Sequence, residues 1–296
     1  MLNAARVNAA MPHAALLDAT LRTATAWLAQ ARPAMVVQVI DHQGSVPRET
    51  GTRMLVAAGA VAGTIGGGHL ELKAIALARA QLAAHATESV DHHYPLGPAL
   101  GQCCGGALTL RTAPLDAVAL AAWPDTPPLF TLQLHGAGHV GRAIARLLHA
   151  LPCRVQWIDE RDTEFPAQPS ADPIERLCVE PVQAEVRSAP AGAFYLVLTH
   201  RHDLDLAITE AILKRGDFGY LGLIGSATKR ARFLRRFEQR GIGAAALGRI
   251  TCPIGVPGIS GKQPEVIALA VVAQLLQVAA SHSAAERSAC PTRLVR

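Results

Sequence analysis

Cys103 and Cys104 stand side by side in GQCCGG at 101–106, in a chain of 296 residues that uses six cysteines in all. Two adjacent thiols have few chemistries open to them. On a strand, successive side chains point to opposite faces, so both sulfurs do not easily reach one metal ion. The spacing is not C-x2-C, and no second cysteine–histidine pair completes a tetrahedral zinc set. A disulfide between neighbours strains the backbone, because bridged Cα atoms usually lie farther apart than the roughly 3.8 Å of successive residues. Elimination favours one thiol facing a pocket and the other facing the core. An exposed thiolate suits a sulfur-rich or molybdenum-type centre, or can hold a persulfide. The competing reading is a buried cysteine that serves as a small apolar filler.

A second chemistry-bearing group is GAGHVG, with Gly136, Gly138 and Gly141 between an apolar strand (FTLQL) and a helical pattern (RAIARLLHAL). In that context Gly136 permits a tight turn, Gly138 admits a pyrophosphate to the backbone, and Gly141 lets helix and strand approach. Asp159 ends the next strand, RVQWID, 23 residues beyond Gly136, the usual offset for a carboxylate on a ribose hydroxyl. The turn is equally readable as architecture without a nucleotide. His200, Arg201, His202 and Asp203 in THRHD end a further strand, where ligands of open α/β sheets bind; Asp203 is also readable as a helix N-cap.

Gly66, Gly67 and Gly68 precede the helical pattern HLELKAIALARAQL, and Arg48 and Arg53 lie in GSVPRETGTRMLV. Helix-terminal amides and forked guanidinium donors make an anion site there, with Arg48 and Gly66–68 as candidates for a phosphate. The alternative is that these glycines serve a hairpin and a helix start, with Glu71 favouring the dipole. No GxxxxGK[ST] occurs, so triphosphate hydrolysis is not implied. Lys229, Arg232, Arg236 and Arg240 recur at helical spacing, either as a solvated outer face or as a docking surface for an acidic partner.

These groups need elements to position them. Half of the residues are hydrophobic, enough for a sizeable core in one large domain or two ordinary ones. Residues 1–122 alternate helical and strand-like segments. The proline-rich stretch AAWPDTPPLF reads as a linker, and from residue 129 to 281 apolar strands alternate with helices. The expected fold is therefore α/β: an N-terminal mixed α/β domain followed by a Rossmann-like parallel-sheet domain, with an aperiodic tail at 282–296. A net charge of +5 is diluted by a charged fraction of 17%, and aromatics are 4%, which argues against a nucleic-acid partner. VIALAVVAQLLQVAA at 266–280 is interrupted by Gln274 and Gln277 and falls short of the roughly 20 apolar residues of a membrane span. A buried helix, no membrane, no signal peptide and a cytoplasmic protein with its cysteines as thiols are expected.

Four stretches in order, GSVPRETGTRML, GTIGGGHLE, LGQCCGG and a late part with HGAGHVG, LTHRHDLD, YLGLIGSATKR and PIGVPGISGKQPEVIALAV, closely resemble the XdhC/CoxI family of xanthine dehydrogenase accessory proteins over residues 30 to 280. The resemblance implies a molybdenum-cofactor chaperone rather than an enzyme. Such a protein takes Mo-molybdopterin from molybdenum cofactor biosynthesis proteins and protects it. It then supports the exchange of an oxo for a sulfido ligand by a NifS-like cysteine desulfurase and delivers the product to apo-xanthine dehydrogenase. The family's Cys-Gly-Gly falls on Cys104, Gly105 and Gly106, and the CysCysGlyGly form adds Cys103; the pair is the expected molybdenum contact. Two rivals remain. One is an NAD(P)-dependent oxidoreductase built on GAGHVG and Asp159; the other, a molybdopterin nucleotidyltransferase, lacks a triphosphate loop and paired metal-binding carboxylates. A homodimer formed through the apolar C-terminal helix is expected.

Overall fold

AMVVQVIDHQ and RMLVA are rich in β-branched and large apolar residues, and they pair as neighbouring strands of an antiparallel sheet. The computed structural model describes residues 19–96, 105–124, 127–167 and 174–289. The chain divides into two units, Met1–Thr126 and Pro127–Arg296. In the first, β1 (Ala34–Gln43), β2 (Arg53–Ala57), β3 (Ala60–Gly63), β4 (Val90–Pro95) and β5 (Ala107–Pro114) form a sheet of order β3-β2-β1-β5-β4. Alternation along β1 sends Met35, Val37 and Val39 to one face, where they meet Leu70, Ala74 and Ala78 of α2 (Gly68–Ala83). The spacing of four along α2 keeps those three on a single stripe. On the other face Val36, Leu55 and Ala57 pack under Leu21, Ala24 and Trp27 of α1 (Ala19–Ala29). A short helix, α3 (Ala117–Ala121), follows β5, its first turn capped by the Asp116 carboxylate, which accepts from the Ala119 amide at 2.7 Å.

The second unit is a six-stranded, wholly parallel sheet of order β11-β10-β9-β6-β7-β8. Its strands are β6 (Thr131–His135), β7 (Arg154–Asp159), β8 (Ile174–Cys178), β9 (Phe194–Val197), β10 (Tyr220–Leu223) and β11 (Ile250–Thr251). Helices cover both faces: α4 (His139–Leu148) and α8 (Pro264–Ala289) on one, α5 (His202–Arg215) and α6 (Ala227–Gln239) on the other, with the short α7 (Ala244–Gly248) preceding β11. Four-residue β9 shows why its sequence is unbroken: Phe194 and Leu196 enter the core under α4 and α8, while Tyr195 and Val197 enter the one under α5 and α6.

Two boundaries differ from expectation. Helix α5 begins at His202 with Arg201 as N-cap, so Asp203 sits in the first turn, where its charge favours the dipole, rather than capping. Helix α8 runs on through Ala289, into the segment expected to be aperiodic. Ala, Ser, Glu and Arg there have adequate helix propensity, and no apolar period is needed where the helix leaves the core. Its stretch Pro264–Ala285 is long and apolar enough to cross a membrane by length and composition, yet Ala268, Val271, Val272, Leu275 and Ala279 bury one stripe of it on the parallel sheet.

Candidate functional site

In the first unit, the motif loops meet at one end of the antiparallel sheet. The Leu96 amide donates to the Gly106 carbonyl at 2.8 Å, closing the base of the β4–β5 connection. Cys103 and Cys104 belong to that connection and lie outside the described residues. Gly106 lies against the backbone of the next loop: a Cβ there would sit 2.4 Å from the carbonyl oxygens of Gln43 and Ser45. A Cβ on Gly66 would in turn lie 2.3 Å from Cβ of Pro47, so the 63–68 loop abuts the 44–51 loop. Beside Gly105, by contrast, a Cβ would meet no atom of the described residues within 4 Å.

Arg48 is exposed on the 44–51 loop, as a phosphate donor should be. The loop is tied by the Thr50 amide and hydroxyl, both directed at Nδ1 of His42 (3.2 and 2.8 Å). The glycines at 66–68 depart from expectation. One carboxylate oxygen of Glu71 accepts from the Ile65 amide, the Gly67 amide (3.0 Å each) and the Thr64 hydroxyl. The Gly66 amide goes to the Thr64 hydroxyl. The chain's own carboxylate thus occupies the place in which a phosphate was expected, and Glu71, four residues beyond Gly67, was the sequence signal for it.

In the second unit, the glycine turn has the backbone its spacing predicts. Gly136 adopts φ +124°, with a Cβ there 2.4 Å from the Leu198 carbonyl oxygen, and a Cβ on Gly141 would lie 2.1 Å from the Gly136 oxygen. Gly138, with nothing within 4 Å of its Cβ position, is the open step. Asp159 is not poised for a ribose. Its carboxylate accepts from the Ala137 amide of the turn at 2.6 Å and from the Arg161 amide and guanidinium at 2.9–3.0 Å. Burial alone would raise its pKa, but the hydrogen bonds from Arg161 and Ala137 hold it below the ordinary carboxylate value. Arg142 bridges the Ala137 and Glu164 carbonyl oxygens and pairs with the Glu164 carboxylate, which ties the turn to the 162–164 segment.

At the carboxyl ends of β9 and β10 lies a cavity of about 440 Å³, lined by His200, His202, Ser226, Thr228, Lys229 and Arg232 among others. Beneath it is a buried ion pair: Lys229 Nζ donates to Asp205 at 2.6 Å and to the Ile224 carbonyl at 2.8 Å. The side chains are 9% and 1% exposed, respectively. The second Asp205 oxygen takes the Thr199 amide and hydroxyl. Lys229 therefore does not belong to the solvated basic face read from its spacing, because its aliphatic stem turns inward and pairs with a residue on another helix. Arg232 and Arg236 are exposed, and Arg240 pairs with Glu210.

The described cysteines are poor soft ligands. Burial pushes the Cys153 thiol up to about 12, and Cys178 and Cys252 are also raised, chiefly by desolvation. Among the described residues no group of three or more His, Cys, Asp or Glu side chains is arranged to hold a metal ion.

Comparisons with known proteins agree with this two-unit layout. Residues 132–275 match the family model described as the XdhC Rossmann domain, and residues 27–94 match that of the XdhC and CoxI family. The uncharacterized protein YqeB of Escherichia coli (strain K12) is 29% identical over 253 residues, 83% of this chain and 43% of its own length, so the chain spans less than half of that relative. A crystal structure from Bacillus halodurans, described as a xanthine dehydrogenase, superposes with a TM-score of 0.70 at 18% identity over 89% of this chain and 96% of that one, a likeness of fold. The chain belongs to the XdhC and CoxI family.

Proposed function

We propose that this chain is an accessory protein in the maturation of xanthine dehydrogenase, working in the cytoplasm as a homodimer. In this reading it binds Mo-molybdopterin, shields it, supports its sulfuration by a cysteine desulfurase and hands it to the apo-enzyme. Family membership supports the general role. The observation that carries the finer reading is the convergence of the 44–51, 63–68 and 105–106 loops beside the connection that holds Cys103 and Cys104.

The donor set suits the cofactor. A soft thiolate from the cysteine pair matches molybdenum, and the exposed Arg48 matches a terminal phosphate. Once bound, the cofactor supplies the molybdenum centre whose ligand is exchanged. The chain's residues do no bond-breaking: they bind, orient and exclude water. A carrier must also release its cargo, so a single soft contact and one arginine fit better than a closed cage of ligands. The NAD(P) alternative is weakened by Asp159, both of whose oxygens are spent on Ala137 and Arg161.

The reading is tested by incubating apo-xanthine dehydrogenase with the chain purified from a host that makes molybdopterin. Restored xanthine oxidation is expected with the wild-type chain, and at least a tenfold smaller recovery with Arg48→Gln. Recovery no better than that given by buffer would contradict delivery.

A further inference from the structure

We propose that the cavity at the carboxyl ends of β9 and β10 binds a small phosphorylated anion, a phosphate monoester or diphosphate, through Lys229, Arg232, His202 and the first turn of α6. This site is built from residues of the second unit and does not rest on cofactor delivery.

The cavity gathers cationic donors on its floor and rim. An ammonium has three N–H groups, and Lys229 spends two of them on Asp205 and the Ile224 carbonyl. Lys229 is nine-tenths buried yet lines the cavity, with its ammonium also 5.3 Å from the Phe233 ring centroid, so it is a desolvated cation already neutralised from behind by Asp205. Asp205 is the carboxylate among the lining residues, and its oxygens are taken by Lys229 and Thr199. It offers no repulsion that Lys229 does not balance. The floor of the cavity is thus a fixed, paired charge, and the rim adds the Arg232 guanidinium and the His202 ring.

Two long helices also start here. The Ser226 hydroxyl caps α6 by accepting only from the Lys229 amide, which leaves the amides of Ala227 and Thr228 without an intrahelical acceptor. The N-cap residue of α5, Arg201, makes no side-chain cap. Amides, a guanidinium and a buried ammonium converging on one space suit a dianion with several acceptor oxygens. A volume near 440 Å³ leaves room for a body attached to the phosphate. The glycine turn, where a dinucleotide phosphate would ordinarily go, already carries the Asp159 carboxylate on its Ala137 amide.

The test is calorimetric titration of the full chain with inorganic pyrophosphate, inorganic phosphate and AMP. Saturable binding of pyrophosphate is expected, weakened about tenfold by Arg232→Gln, as loss of a charge-assisted contact would give. Arg146→Gln removes the same charge from an exposed position on α4 and is expected to bind as wild type. Lys229→Met should abolish binding; because it also strands Asp205, its fold is checked by circular dichroism, and Arg232→Gln carries the conclusion. AMP binding more tightly than phosphate assigns the anion to a nucleotide, and equal affinity assigns it to a bare or terminal phosphate; both uphold the site. No binding at millimolar pyrophosphate, an unchanged affinity in Arg232→Gln, or a loss confined to Gly138→Ala would overturn it.

Discussion

Gly105 and Gly106 are neighbours with opposite tolerances. A side chain on Gly106 collides with two carbonyl oxygens of the 43–45 segment, while one on Gly105 meets none of the described residues. Gly106→Ala should therefore cost about 1–3 kcal/mol, the usual range for forcing an atom into a packed site, and should lower the urea midpoint of unfolding. Gly105→Ala should leave the midpoint unchanged. Equal effects would mean that the loops do not abut as described. Glycine spacing made the backbone turns at Gly136 and Gly141 readable from sequence, because one residue type meets one steric demand. The fates of Asp159 and Lys229 were not readable. Each carboxylate or ammonium could equally face a ligand or the chain itself, and only the fold brings Asp205 to Lys229, 24 residues away on another helix.

Among the elements, β6 carries the least expected side chains. Gln133 and His135 are fully buried, alternating with Leu132 and Leu134. Gln133 is satisfied by Gln156, Ser188 and the Glu185 carbonyl. His135 contacts only Gln133 through Nε2 at 3.3 Å and leaves Nδ1 unpaired among the described residues. Desolvation pushes its pKa down from 6.5 to about 3. The folded chain thus keeps His135 neutral while the unfolded chain takes up a proton below pH 6.5. Stability from this group is complete above 6.5 and lost as pH falls toward 3, by about 1.4 kcal/mol per pH unit. Urea unfolding at pH 5.5 and 4.5 should show that much less loss in His135→Gln than in wild type; parallel losses would mean that His135 is hydrated. The elements themselves were legible where apolar runs and periods are long, as in β9, β10 and α8. They were not legible at the start of α5 or the end of α8, where capping and propensity rather than burial decide the boundary.

At the scale of the whole chain, each unit buries both faces of its own sheet, and each matches its own part of the XdhC and CoxI family. The first unit gathers three glycine loops around the cysteine connection. The second ties Asp159 to its glycine turn and opens a cationic cavity at the carboxyl ends of β9, the neighbour of β6, and β10. An oxidoreductase would instead need the nucleotide turn free. In the proposed role the cysteine pair holds the molybdenum cofactor. Its most direct test is the molybdenum and pterin content of the chain purified from a host that makes Mo-molybdopterin. The wild-type chain should retain both in equal amount, and the folded Cys103→Ala/Cys104→Ala variant should retain neither. Equal content in the two proteins, or none in the wild type, would contradict the account.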